Sequence, residues 1–388
     1  WIGWPGAEVV DSDRKNVYES LVRDFKCVPV FVNQEDQVGY YDGFSNSSLW
    51  PILHYMPEYM EYNDSWFDNY TAVNYKFAEE VISNAGDDDI VWIHDYHLML
   101  LPEMIKQQRP ELKVGFFLHT PFPSYELFRC HPKRQELLFG MLGADLIGFH
   151  TFGYLRHFRS ALLRILGIES HLNQVSYQGY EKKLGVFPIG IDAQRFESVM
   201  LTEFFLEHQA ALDEQYSDKK VVLSVERLDY SKGIPKKLQA IEKFLQNYPE
   251  KREDTVFILI AVPSREEVES YRLLKETVEL AVGRINGQFA TVHNIPINFI
   301  NRSVPFDELA ALYAIADVAL VTPLVDGMNL VAKEYVACQI DGDGALILSE
   351  FAGVAQELFS AILVNPYDVD EVSRSIAFAL EMDVSARR

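Results

Sequence analysis

The sequence predicts an α/β protein built from two parallel-sheet domains, and three observations carry this. First, five apolar, β-like runs end abruptly in an ionisable residue: VWIHD at Asp95, VGFFLH at His119, VVLSVER at Arg227, ILIAVPSR at Arg265 and VALVTPLVD at Asp326. Second, beyond residue 80 such runs alternate with helical patterns, which implies parallel strands covered by helices on both faces. Third, the chain has 388 residues, more than the ~250–300 at which a single core stops growing, so two domains are expected. Ligands of open α/β sheets bind beyond the carboxyl ends of the strands. Polar strand ends this numerous predict two strand sets facing one cleft, and therefore an enzyme.

Taken in order, the opening WIGWPG reads as loop rather than as the strand and glycine-rich turn that usually begin a doubly wound domain. Residues 33–66, rich in Asn, Ser, Tyr and Trp, read as irregular loops folded over the first domain. Strands are expected near 90–94, 114–119, 146–150 and 185–189, and again near 220–226, 256–262, 297–301, 318–323, 345–349 and 361–365. Between them, Tyr271, Leu274, Val278, Ala281 and Ile285 recur every three or four residues, the spacing of one apolar helix face. Pro188 and Gly190 punctuate GVFPIGID, and a polar helical stretch follows to about 217, which divides the chain into domains 1–195 and 196–388. EMDVSARR stops inside a helical pattern, so a first strand and a closing helix are both expected to be missing.

Composition narrows the class. Hydrophobic residues make up 48% and charged residues 24%, as in soluble globular proteins. No apolar run approaches the roughly 20 residues that span a bilayer, and no secretory signal opens the chain. With three widely separated cysteines, Cys27, Cys130 and Cys338, a reduced cytoplasmic setting is expected. A net charge of −22 argues against nucleic acid as a partner. Phosphorylated substrates would then need a few well-placed cations working against the overall field, and Arg227, Lys232 and Arg265 are so placed.

The most specific segment is VTPLVDGMNLVAKEYVA, residues 321–337. A strand runs into an Asp326-Gly327 turn, and a helix follows from about Asn329. The N–H groups of the helix start, around Leu330 and Val331, can hold a diphosphate. Glu334, on the first turns, can accept bonds from vicinal ribose hydroxyls; an ordinary βα turn with an exposed glutamate is the competing reading. VERLDYSKG places Arg227 and Lys232 beyond a strand end in a loop closed by Gly233, where two cations could neutralise a leaving diphosphate. Arg265 follows Pro263-Ser264 and is expected to precede a helix directly, which would make a phosphate site.

Tyr41 and Trp50 lie in GYYDGFSNSSLW, where they either pack on a sugar or fasten the loop. In HDYH, His94 and His97 lack the spacing and third ligand of a zinc site, so Asp95 is read as an acceptor for sugar hydroxyls and no metal is expected. The acidic runs at 87–89 and at Asp341 and Asp343 read as solvated turns. His119 reads as a substrate contact rather than a proton carrier. No GxGxxG follows a first strand, which leaves no basis for a dinucleotide-dependent dehydrogenase.

Together HDYHL, FFLHTPFPS, GFHTFGYLRHF, VERLDYSKG, AVPSR, GRINGQF and TPLVDGMNLVAKEYVA resemble the trehalose-6-phosphate synthases, retaining glycosyltransferases of GT-B architecture, over nearly the whole chain. The resemblance implies two Rossmann-like domains, the first holding glucose 6-phosphate and the second UDP-glucose, with no metal and no cofactor beyond the donor. It implies that Arg227 and Lys232 take the diphosphate and Glu334 the ribose. Asp326, Gly327, Met328, Asn329, Leu330 and Val331 would line the donor, with His119 near its 6-hydroxyl. Asp95 would lie at the junction of donor and acceptor, and Tyr41, Trp50 and Arg265 would hold the acceptor. The phosphatase motif of bifunctional relatives is missing. A regulatory subunit that binds sugar phosphate without turnover is the alternative. Assembly as a homo-oligomer or with a trehalose-phosphate phosphatase stays open, and no nucleic acid or membrane partner is expected.

Overall fold

The computed structural model describes residues 1–387, which form two compact units, Trp1–Pro188 and the part from Ile189 onward. The division falls at 188/189, ahead of the expected 195/196, so the helix Ala193–Val199 belongs wholly to the second unit.

In the first unit, WIGWPG is loop apart from two residues: β1 (Ile2–Gly3) pairs in parallel with β2 (Val28–Pro29) as a separate two-stranded sheet. The main sheet has six strands, β3 (Ile90–His94), β4 (Lys113–Phe117), β5 (Leu146–Phe149), β6 (Ser170–His171), β7 (Gln174–Tyr177) and β8 (Tyr180–Val186). Their order is β3-β4-β5-β8-β7-β6, parallel from β3 to β8 and antiparallel beyond. The expected strand near 185–189 is thus longer, starts earlier and doubles as the partner of a hairpin.

Residues 33–66 are corrected more strongly. They form a helix Gln34–Asp36, a π-helix Gln37–Leu49, a short helix Trp50–Leu53 and a 3₁₀ turn Pro57–Tyr59, leading into the helix Asp64–Asn84. Phe44, Leu49, Ile52 and Leu53 are fully buried, so this stretch is core, not cover. Close approach explains its small residues: a Cβ on Gly43 would lie 2.5 Å from the Trp66 ring.

The second unit carries β9 (Lys220–Arg227), β10 (Thr255–Val262), β11 (Ile297–Ile300), β12 (Val318–Val321), β13 (Ala345–Ser349) and β14 (Ile362–Val364). All are parallel, in the order β11-β10-β9-β12-β13-β14. Counted along the chain this is the 3-2-1-4-5-6 order of the doubly wound dinucleotide-binding fold, with its switch point between β9 and β12. Successive residues of a strand point to opposite faces. Val221, Leu223, Ile258, Ile260, Ala319, Val321 and Leu348 join the core formed with helices Ala193–Val199, Glu203–Gln215, Phe306–Ile315 and Leu330–Cys338. Val222, Phe257, Leu259, Leu320 and Ile347 are buried on the other side, where Phe244 of the helix Ile234–Asn247 meets Phe257 edge-on at 5.6 Å.

The expected strand boundaries hold within a few residues, apart from β8, which starts five residues early; β12 ends at Val321. Asp326 therefore lies beyond the strand and is fixed by an isolated parallel bridge to Ala352. The helix after Arg265 begins only at Glu269, so Arg265 does not stand at its N-terminus.

Candidate active site

The switch point of the second unit gathers most of the residues expected at a donor site. Arg227 closes β9 and is exposed. The chain then makes a 3₁₀ turn, Tyr230–Lys232, ended by Gly233 at φ +68, a conformation L side chains rarely adopt. The turn docks on the strand-end segment after β12, because Leu324 N–H donates to Ser231 O at 2.8 Å. That brings Lys232 Nζ to 2.6 Å from Asp326 Oδ2, and both side chains are largely buried, at 12% and 14% exposed. Asn329 Nδ2 donates to the same Asp326 oxygen at 3.0 Å.

Gly327 packs directly against Gly353, where an added Cβ would stand 2.1 Å from Gly327 O. Asn329 has φ +79 and caps the helix Leu330–Cys338 by accepting from Ala332 N–H at 3.1 Å. The cap occupies one donor of the first turn; those of Leu330 and Val331 have no intrahelical carbonyl to reach, as at any helix start. Met328 turns its side chain into the core and its carbonyl accepts Val354 N–H at 2.8 Å.

Glu334 faces the same end of the helix, half-buried, and its Oε2 accepts from the buried Tyr313 hydroxyl at 2.9 Å. Burial raises the Glu334 pKa, opposed by the Tyr313 hydrogen bond and the Arg195 charge. Tyr313 is a residue that sequence reasoning missed; its pairing is visible only after folding. Also missed is the fully buried Lys237, which pairs with Glu226 and Ser224 near the end of β9.

Arg265 lies in this unit too, at φ +50, with its side chain only 5% exposed. Its Nη1 donates to Asp229 Oδ2 at 3.0 Å and to Tyr271 OH. Tyr41 and Trp50, the other two residues expected to hold an acceptor, belong to the first unit. Tyr41, on the π-helix, is half-buried and stacks on His97 at 5.7 Å and 11°, with Trp4 tilted against it at 5.4 Å. Trp50 is buried and packs on His54 at 3.8 Å and on Tyr96 at 5.5 Å.

At the carboxyl ends of β3, β4 and β5, the first unit lines up His94, His119 and His150. His94 Nδ1 is 3.0 Å from His119 Nε2, and the His119 and His150 rings meet edge-on at 5.5 Å. Burial lowers the pKa of both His94 and His119, and their proximity lowers His94 further. Two neutral rings can share one proton across that contact; two imidazolium rings cannot. Asp95 stands beside them at φ 72, ψ 172, a region nearly reserved for glycine. Its Oδ1 accepts His119 N–H at 3.2 Å and its own N–H donates to Phe117 O at 2.8 Å. Asp95, Arg265 and Asn329 are three of the seven non-glycine residues at positive φ among the described residues, and all three were singled out from sequence. Backbone strain of this kind is kept where the surroundings over-determine it, commonly at functional sites.

Comparison with known proteins then identifies the family. The model of glycosyltransferase family 20 matches residues 1–388. The chain belongs to glycosyltransferase family 20. Within this family it is 46% identical over 387 residues to the UDP-forming α,α-trehalose-phosphate synthase A of Dictyostelium discoideum, matching all of the chain and 53% of that relative. The chain thus spans about half of that protein's length. A solved Burkholderia xenovorans UDP-forming α,α-trehalose-phosphate synthase in complex with glucose-6-phosphate superposes with a TM-score of 0.90 at 34% identity, over 93% of this chain and 80% of that one. An E. coli trehalose-6-phosphate structure bound with UDP-2-fluoro glucose superposes with a TM-score of 0.93 at 34% identity, over 100% and 86%. The fold is therefore GT-B, with two Rossmann-like units. No helix among the described residues is long and apolar enough to cross a membrane, and no cluster of three His, Cys, Asp or Glu there could hold a metal ion.

Proposed function

We propose that this chain transfers glucose from UDP-glucose to O1 of glucose 6-phosphate with retained anomeric configuration, giving α,α-trehalose 6-phosphate and UDP. The observation that carries the reading is the Lys232–Asp326–Asn329 cluster at the switch point of the second unit, beside the uncapped first N–H groups of the helix Leu330–Cys338. A diphosphate is the ligand such a place recognises. The second unit is read as the donor domain, with Arg227 and Lys232 on the diphosphate and Glu334 on the ribose. The first unit is read as the acceptor domain, with Asp95 and His119 contacting sugar hydroxyls and Tyr41 beside the acceptor. Arg265 supplies the cation for the acceptor phosphate.

In the reaction, the bond from the glucose anomeric carbon to the diphosphate oxygen breaks while a bond to acceptor O1 forms on the same face. The acceptor proton passes to the departing diphosphate, whose growing charge Arg227 and Lys232 absorb. Lys232 starts from an ion pair with Asp326, so its ammonium is already held in place. An ordered cation is worth more to a transition state than a mobile one, because no reorganisation is needed when charge develops.

The test is product analysis after incubation with UDP-glucose and either glucose 6-phosphate or glucose, in the presence of a chelator. Trehalose 6-phosphate and UDP in equal amounts, formed only with the phosphorylated acceptor, is the expected result. Binding of both sugars' phosphates by calorimetry with no product would instead identify a non-catalytic sugar-phosphate-binding subunit. We also read the chain as cytoplasmic, and as self-associating or working beside a trehalose-phosphate phosphatase; sedimentation of the chain alone and with such a phosphatase separates these.

A further inference from the structure

We propose that Asp229 is a positioning residue that fixes, through one buried carboxylate, both the cation for the acceptor phosphate and the turn that carries the diphosphate lysine. The inference rests on the reading of Arg265 and Lys232 above. Asp229 is fully buried. Its Oδ1 accepts from Ser231 N–H at 2.9 Å and from the Ser231 hydroxyl at 2.7 Å, which caps the turn Tyr230–Lys232. Its Oδ2 accepts from Arg265 Nη1 and from Tyr271 OH, both at 3.0 Å. The two oxygens thus face two different pieces of chain, one ending in Lys232 and the other displaying Arg265.

A helix-cap role would need only Oδ1, and any short polar residue could fill it. A purely structural ion pair would need no strained backbone, yet Arg265 is held at φ +50 with its side chain almost wholly enclosed. Tyr271, on the helix Glu269–Phe289, closes the arrangement by bonding both Arg265 and Asp229. A guanidinium fixed this way meets a phosphate without first losing the freedom of a long side chain, which is how pre-organisation strengthens binding. Because both oxygens belong to one carboxylate, a shift of Arg265 toward a bound phosphate is felt at the cap of the Lys232 turn.

Asp229→Asn separates the two halves. The amide oxygen can still accept from Ser231, while the amide nitrogen meets Arg265 donor to donor and can only donate to the Tyr271 hydroxyl. We expect KM for glucose 6-phosphate to rise about tenfold or more, the loss of one charge-assisted hydrogen bond, with the Kd of UDP changed less than about twofold. In an Arg265→Ala background the same substitution should add nothing to KM, since Asp229 acts on the acceptor through Arg265. Tyr271→Phe, which leaves the carboxylate in place, should raise KM by about two- to fivefold and remains informative if Asp229→Asn fails to fold.

An Asp229→Asn protein that binds UDP normally and keeps its acceptor KM overturns the proposal, provided Arg265→Ala raises that KM. So do additive effects in the double variant, or an unchanged KM in Tyr271→Phe when the Asn variant does not fold. If Arg265→Ala itself leaves the acceptor KM unchanged, it is the reading of Arg265 that falls.

Discussion

The two units answer the same architectural question with different chemistry. At its strand ends the first unit sets three imidazoles in a row, His94, His119 and His150, with two of them hydrogen-bonded to each other and held neutral by burial. At its strand ends the second unit sets cations already matched to carboxylates: Lys232 to Asp326, Arg265 to Asp229 and Lys237 to Glu226. Neutral rings and strained backbone suit the hydroxyls of a hexose; fixed cations suit phosphates. The contrast also resolves how a chain of net charge −22 can handle anions. Lys232 and Arg265 are each held by a nearby carboxylate, so position substitutes for a favourable overall field.

The comparison breaks first at Lys232. If the second unit supplies the charge stabilisation, Lys232→Ala should lower kcat by about 10²–10³-fold, the usual effect of removing one such group, and weaken UDP far less. Single-turnover measurements at saturating UDP-glucose would show it. A loss confined to KM would mean that Lys232 only binds, and the division of labour would need redrawing. Next in size is Glu334→Ala, which removes the carboxylate read as the acceptor for the ribose hydroxyls. We expect the Kd of UDP to rise about 10–100-fold by calorimetry, as for a hydrogen bond to a charged group. An unchanged Kd would return Glu334 to the role of an ordinary helix residue bonded to Tyr313.

Much of the second unit was legible because its central strands are buried on both faces and therefore read as unbroken apolar runs: VVLSVE, VFILIAV and ALILS mark β9, β10 and β13 almost to the residue. Their charged ends pointed to Arg227 directly. Residues 33–66 were opaque for the opposite reason. A π-helix has no 3.6-residue apolar period, and Gly39, Gly43 and the Ser/Asn positions that let it pack against the helix Asp64–Asn84 look like turn residues. Trp50 proved to be buried with that segment, a packing that its sequence neighbours did not announce. Asp229 left one local signal, an Asp two residues before a Ser-Lys turn, which is the pattern of a cap. Its second contact, to Arg265, could not be read without the fold, because it joins the ends of two neighbouring strands.

Acid should separate the units. His131, buried in the first unit, accepts Lys133 N–H at Nδ1, so its Nε2 carries the proton facing Ser48 Oγ at 3.1 Å. Desolvation first, then the Arg134 and Lys133 charges, push its pKa down to about 3. The unfolded chain takes up this proton near ~6.5, so stability is full above that pH and falls as pH drops toward 3. The slope is at most about 1.4 kcal/mol per pH unit for one group. His94 and His119 add losses of the same sign. In the second unit the lowered pKa of Glu242, held down by its bond to Arg284, removes stability only below the ordinary carboxyl range near ~4.5. Hydrogen exchange at pH 5 against pH 7 should therefore show protection lost first across 37–54 and 128–142. Equal loss in both units would contradict the contrast.

The smallest effect is the most discriminating. His119→Ala removes one neutral hydrogen-bonding ring, worth about 0.5–1.5 kcal/mol, so a two- to tenfold rise in KM for UDP-glucose is expected. The Kd of UDP alone should not move, since every residue read as holding the nucleotide diphosphate lies in the second unit. The variant also leaves His94 Nδ1 without its neighbour at 3.0 Å. Relieved of that neighbour, His94 should titrate closer to the ordinary imidazole range, because proximity to His119 is one of the causes holding it down. An NMR titration of the His94 ring checks this independently of turnover. If UDP binding weakened as much as UDP-glucose binding, the imidazole row would be acting on the structure of the enzyme rather than on the hexose, and the chemical distinction between the two units would fail at its most specific point.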